Sequence, residues 1–570
     1  MTFKPSDYAN FVAAPSPVHS RVSPSYTGAG TGFDVVVIGS GMGGGVLADA
    51  LAERFKDRKK RILLLEAGSF LYPTHVYNCS RLDNGEVARR FGCSTFVQPG
   101  TDGHEFYIHE RPQLNFGGRS IFWSGLIPTV QPWELDFFPD GVRAALTPDR
   151  LTEAGALMNE SVGMGATARA IRDRLRASDL ANDFVIEETP RALHQPYLRP
   201  DGEVAEELYV EPTGVFNTAE LLVNQLDLSS DGNPGGDGDG LRLLLNHFVE
   251  DIRRLGDGRL EVVARNTLNG EGRAFQAGKV VLAAGSIESP KLLNRSTLGR
   301  ELPGEVRHLI GRGLTDHPTT DDLKTLATHI GGAPIPDKAM AKIILYSKGE
   351  KDGDRVRFPF NVEMNVNHEY WHHRENDPMG PPRPPPHWPI PAVPRRPQDR
   401  VVDVKFSFGN CLDPANAIGP APPFGYVPEI LFKNQKWTSH LCGSRFPALA
   451  GWQVDDKAVF DLLNGVAERV FARFERDGQP CAPLERLGGN GKGFGSGTVH
   501  HAAGSLRMPS KERFDGPWQA ASVVDEDLRV EGTDNLFVCD MSVMPFSSAA
   551  NPVRTLVALA LRLSESGRLD

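Results

Sequence analysis

Glycines at 39, 41 and 44 and a glutamate at 66 are spaced to hold a dinucleotide. They stand in Gly39-Ser40-Gly41-Met42-Gly43-Gly44, behind an apolar run from Val35 to Ile38. Ahead lies a helical pattern in which Val46, Leu47, Ala50, Leu51 and Phe55 share a face, and a second apolar run, Ile62 to Leu65, ends at Glu66. In such a strand–turn–helix–strand unit the first glycine permits the tight turn. The second lets the backbone approach a pyrophosphate, and the third lets the helix lie close to the strand. The helix N-terminus then offers free N–H groups and a partial positive charge to the phosphates. Met42 lies within this turn, and Glu66 is expected to accept hydrogen bonds from both ribose hydroxyls. Glu-Ala-Gly after the second strand favours FAD over NAD.

Two further stretches could carry chemistry. Asn115-Phe116-Gly117-Gly118-Arg119-Ser120-Ile121-Phe122-Trp123-Ser124-Gly125 combines adjacent glycines, small hydroxyl residues and aromatics. Glycine lets backbone lie against a flat ligand, and Phe122 and Trp123 offer packing surface. Further on, His500-His501 opens a stretch to Met508, a short apolar run ends in Asp540, and Asn551-Pro552 precedes an apolar helix reaching about Leu563. Asn is a good N-cap and Pro is favoured at the first helical position. A helix of Leu, Val and Ala should be buried, so its first N–H groups need partners. The pyrimidine edge of a flavin, anionic when reduced, would serve.

The elements that must position these residues are legible in part. Strands are predicted near 241–245, 260–265, 279–284, 341–346, 358–366, 403–409 and 535–540. Helices are predicted over 84–91, 216–226, capped by Asn217 or Thr218, from Lys291 onward, and over 455–476. Residues 1–32 read as an extended arm and 231–240 as a flexible loop. The segment 380–397 is proline-rich, cannot form a helix or a central strand, and is expected to be a surface loop in polyproline conformation bordering the substrate entrance. His368-Glu369-Tyr370-Trp371-His372 matches HExxH, but the motif needs a helix and a third ligand. Its flanks read as strand and proline, so no metal is expected there.

Composition bounds the function. The chain has 570 residues and a net charge of −10, which gives no basic footprint for nucleic acid. No apolar run is long enough to span a bilayer, and no export signal is read in the first thirty residues, so a cytoplasmic location is expected. The six cysteines lack a CxxC pair and are expected to be reduced. Oligomeric state is not legible.

Taken together, the glycine turn with Glu66, 115–125, 284–293, 311–318 and the stretch from Gly504 through the last helix resemble the glucose–methanol–choline (GMC) oxidoreductases. The likeness is to the branch around pyranose oxidases and other sugar or glycoside oxidoreductases. It implies an α/β fold (α+β overall): a glutathione-reductase-like Rossmann FAD domain plus a substrate domain whose antiparallel sheet is backed by helices. The FAD domain is expected from 33–130, 215–320 and 495–570, and the substrate domain from 131–214 and 321–494. The resemblance places His501 at the family's catalytic histidine and Asn551 at its partner. Cofactor contacts are expected from Gly39, Gly41, Met42, Gly44, Glu66, Gly118, Ser120, Trp123, Ser124, Ala284, Asp540 and Pro552. Phe122 stands where several pyranose oxidases carry a flavin-linked histidine, so FAD should be noncovalent.

The expected reaction is hydride transfer from a primary or secondary hydroxyl to flavin N5. An imidazole, with its near-neutral pKa, suits removal of the hydroxyl proton. The substrate is expected to be a sugar, glycoside or polyol, with oxygen or a quinone as electron acceptor. A bulky apolar alcohol such as a sterol, or a non-redox flavin protein, are the alternatives.

Overall fold

The computed structural model describes residues 32–70, 96–97, 113–161, 166–193, 215–228, 240–316, 319–336, 341–348, 351–352, 355–356, 360–367, 396–409, 412, 416–419, 429–431, 457–489, 494–495, 501–510 and 521–570. The arm at 1–31, the expected helix at 84–91, the HExxH match, His500 and nearly all of 380–397 lie outside them.

Along the chain come β1 (Phe33–Ile38), α1 (Met42–Phe55) and β2 (Arg61–Leu65), then α2 (Ala166–Arg176), β3 (Phe184–Glu188) and α3 (Thr218–Leu228). They are followed by β4 (Gly240–Leu244), β5 (His247–Arg254), β6 (Leu260–Asn266), β7 (Gly272–Leu282) and α4 (Gly285–Arg295). Next are β8 (Thr319–Thr320), β9 (Leu323–Ala327), β10 (Ala341–Ser347), β11 (Phe360–Val366) and β12 (Arg400–Phe408). The walk ends with α5 (Lys457–Phe471), β13 (Phe494–Gly495), β14 (Leu536–Val538) and α6 (Val553–Glu565).

Two seven-stranded sheets organise these elements. The first runs β4-β2-β1-β7-β6-β5, with β14 pairing the end of β7. Its centre is parallel, and β5, β6 and the start of β7 form an antiparallel meander. Strands buried on both faces read as continuous apolar runs, and Val35 to Val37, Ile62 to Leu64 and Val280 to Leu282 are each fully buried. The second sheet runs β13-β8-β12-β11-β10-β3, with β9 also on β12, and is antiparallel throughout. One of its faces joins α2 and α5 in a separate core: Phe360, Val362, Met364, Val402, Val404 and Phe406 meet Ile171, Leu463 and Phe471. Among the described residues no helix is long and apolar enough to cross a membrane.

Several expectations need correction. β5 was not legible because its apolar positions alternate with Glu250, Asp251, Arg253 and Arg254. The long helix expected over 455–476 stops at Phe471, and Phe474–Arg476 pairs antiparallel with His329–Ile330. Asp477 and Gly478, both at positive φ, turn that strand back on Gln479–Pro480. An Asp-Gly turn signal therefore overrode the helical periodicity.

Asp399, fully buried at the start of β12, fastens this hairpin to the second sheet. Arg476 donates to it at 3.0 and 2.8 Å, and Arg396 at 3.1 and 3.4 Å. Burial pushes its pKa up, but the hydrogen bonds from Arg476 and Arg396 outweigh burial and hold it at about 2. A carboxylate whose pKa is depressed on folding stabilises above its unfolded value and loses that contribution as pH falls toward the folded one. Asp399→Asn should therefore cost about 2 kcal/mol at pH 7. The gap in melting temperature from wild type should begin to close below about pH 4. A gap that does not change with pH would show that Asp399 acts by shape rather than charge.

Candidate active site

The glycine turn divides into positions closed by protein and one that is open. A Cβ on Gly44 would sit 2.1 Å from the Gly39 carbonyl oxygen and 2.8 Å from Ala283 Cβ, and one on Gly43 would sit 2.0 Å from the Cys539 oxygen. Gly39 has φ +105° and abuts the Ala283 carbonyl. A Cβ on Gly41 would meet nothing within 4 Å. Gly41 is also the N-cap of α1 and has no side-chain cap, so the first N–H groups of a 14-residue helix are left without one. A pyrophosphate, which needs close backbone approach and N–H donors, fits this cradle.

Glu66 is buried behind the turn. Its Oε2 accepts from the Ser40 N–H (3.1 Å) and Ser40 Oγ (2.6 Å), and its Oε1 accepts from the Gly68 N–H (2.8 Å). Burial raises its pKa, and the bonds from Ser40 and Gly68 oppose that rise. These bonds make the carboxylate the brace of the turn.

Ser40, the middle residue of Gly-Ser-Gly, is a hub that the sequence did not reveal. Its Oγ also accepts from the Gly117 N–H (2.9 Å), and its carbonyl accepts from Thr218 Oγ1 (2.7 Å). Thr218 meets Ser120, whose Oγ lies 2.9 Å from Thr218 Oγ1 and accepts from the Thr218 N–H at 3.0 Å. Gly118, at φ +51°, lies against Gly41. The 115–125 loop is thus tied directly to the cradle. Trp123 donates from Nε1 to the Phe216 carbonyl (2.7 Å), and the Ser124 carbonyl accepts from Arg191 (2.6 Å). Met42, Phe122 and Trp123 pack half-buried against the first core. Asn217 caps α3, accepting from the Glu220 N–H at 3.0 Å.

On the far side, Asp540 joins the turn after β14 to the start of α4. Its Oδ2 accepts from the Gly285 N–H (2.9 Å) and Ser289 Oγ (2.5 Å), and its Oδ1 accepts from the N–H and Oγ of Ser542 (2.8 and 2.5 Å). Burial raises its pKa against those bonds. Ala284 is the N-cap of α4, and its own N–H donates to Ser289 Oγ (3.0 Å).

The segment that follows His501 is tied to the turn Met541–Val543. Gly504, Leu506 and Met508 donate to the carbonyls of Met541, Ser542 and Val543 at 3.2, 2.8 and 2.9 Å. Ala503 exchanges two backbone bonds with Thr315, and the His501 N–H donates to Asp316 Oδ2 at 3.3 Å. The segment leading to Asn551 is held by Glu134, itself buried. Its Oε1 accepts from the Ala550 N–H (2.9 Å) and Ser548 Oγ (2.5 Å), and its Oε2 from the Gln131 N–H (2.8 Å). Glu134 carries no motif and was not singled out from sequence.

The expectation for Asn551 changes in one respect. The last helix starts at Val553 with Pro552 as its N-cap, and no side chain caps it. Asn551 lies one residue earlier, so proline takes the cap position instead of the first helical one. The Asn551 amide is half-buried and has no hydrogen-bond partner among the described residues. It is thus available to a ligand beside the uncapped start of α6.

A pyrophosphate cradle on a parallel sheet, set beside an antiparallel sheet, defines a dinucleotide-dependent enzyme with a separate substrate layer. Residues 238–319 and 491–560 match the N- and C-terminal family models of GMC oxidoreductase. In these stretches the chain is similar to that family, and it is an FAD-dependent oxidoreductase acting on CH–OH groups. It is 24% identical to paromamine 6'-oxidase of Streptomyces fradiae, over 94% of this chain and 91% of that one. It shares its fold with pyridoxine 4-oxidase from Mesorbium loti, with a TM-score of 0.55, 18% identity, and coverage of 94% and 99%.

Proposed function

We propose that this enzyme oxidises a hydroxyl of a sugar, glycoside or polyol, with His501 as general base and Asn551 as donor to the substrate oxygen. The observation that carries the reading is the Asn551 amide, half-buried, unpaired among the described residues and next to Ala550, whose N–H is held by Glu134. When bound, FAD supplies the acceptor for the hydride. The imidazole of His501 takes the hydroxyl proton while the carbon gives up hydride, so the alcohol becomes a carbonyl and one proton stays with the protein. Asn551 donates to the oxygen as negative charge develops there. Gly41, Met42, Gly118 and Pro552 line backbone toward the cofactor, Gly39 and Gly44 let the turn and α1 close against β1 and Ala283, and Glu66 and Asp540 brace the turn from behind. We assign 33–130, 215–320 and 495–570 to the cofactor domain and 131–214 and 321–494 to the substrate domain, bounds that the strands of the two sheets follow except at β8 and β13, which pair in the second sheet. The names of both relatives are those of oxidases, which favours oxygen over a quinone as acceptor.

The test is anaerobic titration with sugars, glycosides and sterols, followed by admission of air. Sugars or glycosides should bleach the flavin and air should restore it. Bleaching by sterols alone would move the substrate to the apolar class, and no bleaching would sink the redox reading. Acid precipitation should leave yellow flavin in the supernatant, because Phe122 cannot form a covalent link to it.

A further inference from the structure

The second sheet has a face that its own core does not use. Along β11, Phe360, Val362, Met364 and Val366 enter the core, which turns Asn361, Glu363 and Asn365 to the other side. β12 does the same with Asp403, Lys405 and Ser407, and β10 with Lys342 and Tyr346. This face is polar yet buried: Asn361 is 1% exposed, Ser407 0% and Asp403 2%.

Its ionic groups satisfy one another. Glu363 accepts from Ser407 Oγ (2.7 Å) and pairs with Lys342 (3.1 Å) and Lys405 (3.4 Å). Asp403 accepts from Asn365 Nδ2 (2.6 Å) and lies across from Lys324. Asn361 is the exception. Both Oδ1 and Nδ2 are buried without a hydrogen-bond partner, and Asn365 Oδ1 on the same face is likewise unpaired. Each orphaned buried polar group costs about 1–3 kcal/mol, so a side chain with two of them in a well-packed sheet points to a ligand.

The position of Asn361 says which ligand. It lies across from Tyr346 and Ser407. Tyr346 accepts at its hydroxyl from the Thr129 N–H (2.7 Å), five residues beyond the 115–124 loop at the cofactor cradle. Ser407 pairs with Thr319, three residues after the Asp316 that holds the His501 backbone. Gly409, two residues past Ser407, touches Phe546 on the segment leading to Asn551. Asn361 thus sits near the end of an interior strand, beside the residues through which the sheet meets Thr319 and Phe546.

We infer that Asn361 is a specificity-determining residue that binds a neutral hydroxyl of the substrate, away from the one oxidised. The inference rests on the proposed oxidation reading. A primary amide offers one donor and one acceptor side, which matches a hydroxyl or a pair of neighbouring hydroxyls. A substrate ammonium would need an uncompensated carboxylate, and Glu363, Asp322 and Asp403 share this cluster with Lys324, Lys342 and Lys405. A substrate carboxylate would need an ammonium not already held, and Lys342 and Lys405 are on Glu363. Neutral sugars and glycosides should therefore be preferred to amino sugars.

The experiment compares wild type with Asn361→Leu and Asn361→Asp, using D-glucose, methyl β-D-glucoside, D-glucosamine and cyclohexanol as probes. Anaerobic flavin reduction gives dissociation constants and limiting rates, and calorimetric titration gives binding without turnover. Asn361→Leu should weaken the neutral sugars about tenfold or more, keep the limiting rate within about threefold, and leave cyclohexanol unchanged. Its melting temperature should hold or rise, because two orphaned polar groups are removed. Asn361→Asp should shift preference toward D-glucosamine by about tenfold. Unchanged sugar binding, or a lower melting temperature with binding intact, would overturn the inference and leave the oxidation reading standing. Sugar binding that depends on Asn361 without flavin reduction would keep the subsite and sink the oxidation reading. No sugar binding at all would overturn the subsite.

Discussion

Replacing His501 with alanine should leave a yellow protein that its alcohol substrate reduces about 10²–10⁴-fold more slowly, the range that a general base contributes. FAD should be retained, because the cradle is built from Gly41, Ser40, Glu66 and Asp540, and the His501 backbone bond to Asp316 does not depend on the imidazole. Asn551→Ala should also slow reduction, and the double variant should lose less than the sum, since both residues act on one oxygen. The position of Asn551 before the cap refines this result: its removal should cost little stability, because the cap residue is Pro552. His500→Ala is the control for register. Should it abolish reduction while His501→Ala does not, the base is the neighbouring histidine.

The second large effect concerns Gly41. A valine there meets no protein atom within 4 Å of its Cβ, so the protein should fold with an unchanged far-ultraviolet spectrum and a melting temperature close to that of wild-type apoprotein. It should nevertheless lose FAD affinity by about 100-fold or more, since the side chain fills the space needed for close backbone approach to the pyrophosphate. Gly44→Val is the contrast. Its side chain runs into the Gly39 carbonyl and Ala283, so α1 cannot reach β1 and the variant should fail to fold. Equal FAD binding by Gly41→Val and wild type, measured by fluorescence titration of the apoproteins, would move the cofactor away from this turn.

How much of this was legible depended on whether a signal was local. The glycine turn, β1, β2 and the apolar half of β7 could be read because parallel strands covered on both faces are continuously apolar. β5 and β9 escaped notice because charged residues interrupt them, and what makes them strands is pairing with partners that the local sequence does not name. The α5 boundary went astray for a related reason: Phe474 fits a helical stripe, and only the Asp477-Gly478 turn and the pairing with His329–Ile330 make it a strand. At the site, the motif residues were legible and the residues that hold them were not. Ser40, Thr218, Glu134 and Asp316 act through hydrogen bonds to segments as much as 416 positions away, as between Glu134 and Ala550. Asn361 looked like any polar position on an alternating strand, and only its burial without a partner sets it apart.

The first sheet is closed by its latest pieces. β14 completes the edge beside β7, α6 lies against α1, and Arg54 of α1 bonds both the Ser564 carbonyl and Asp570 (2.8 Å to the latter). During synthesis, the glycine turn therefore leaves the ribosome roughly 500 residues before the elements that seal it, which at about 5–20 residues per second is on the order of 25–100 s. Through that interval α1 has an uncovered apolar side, and β7, once made, has an open edge for roughly half of it. Cofactor capture should then follow synthesis of β14 and α6, which complete the sheet and cover α1.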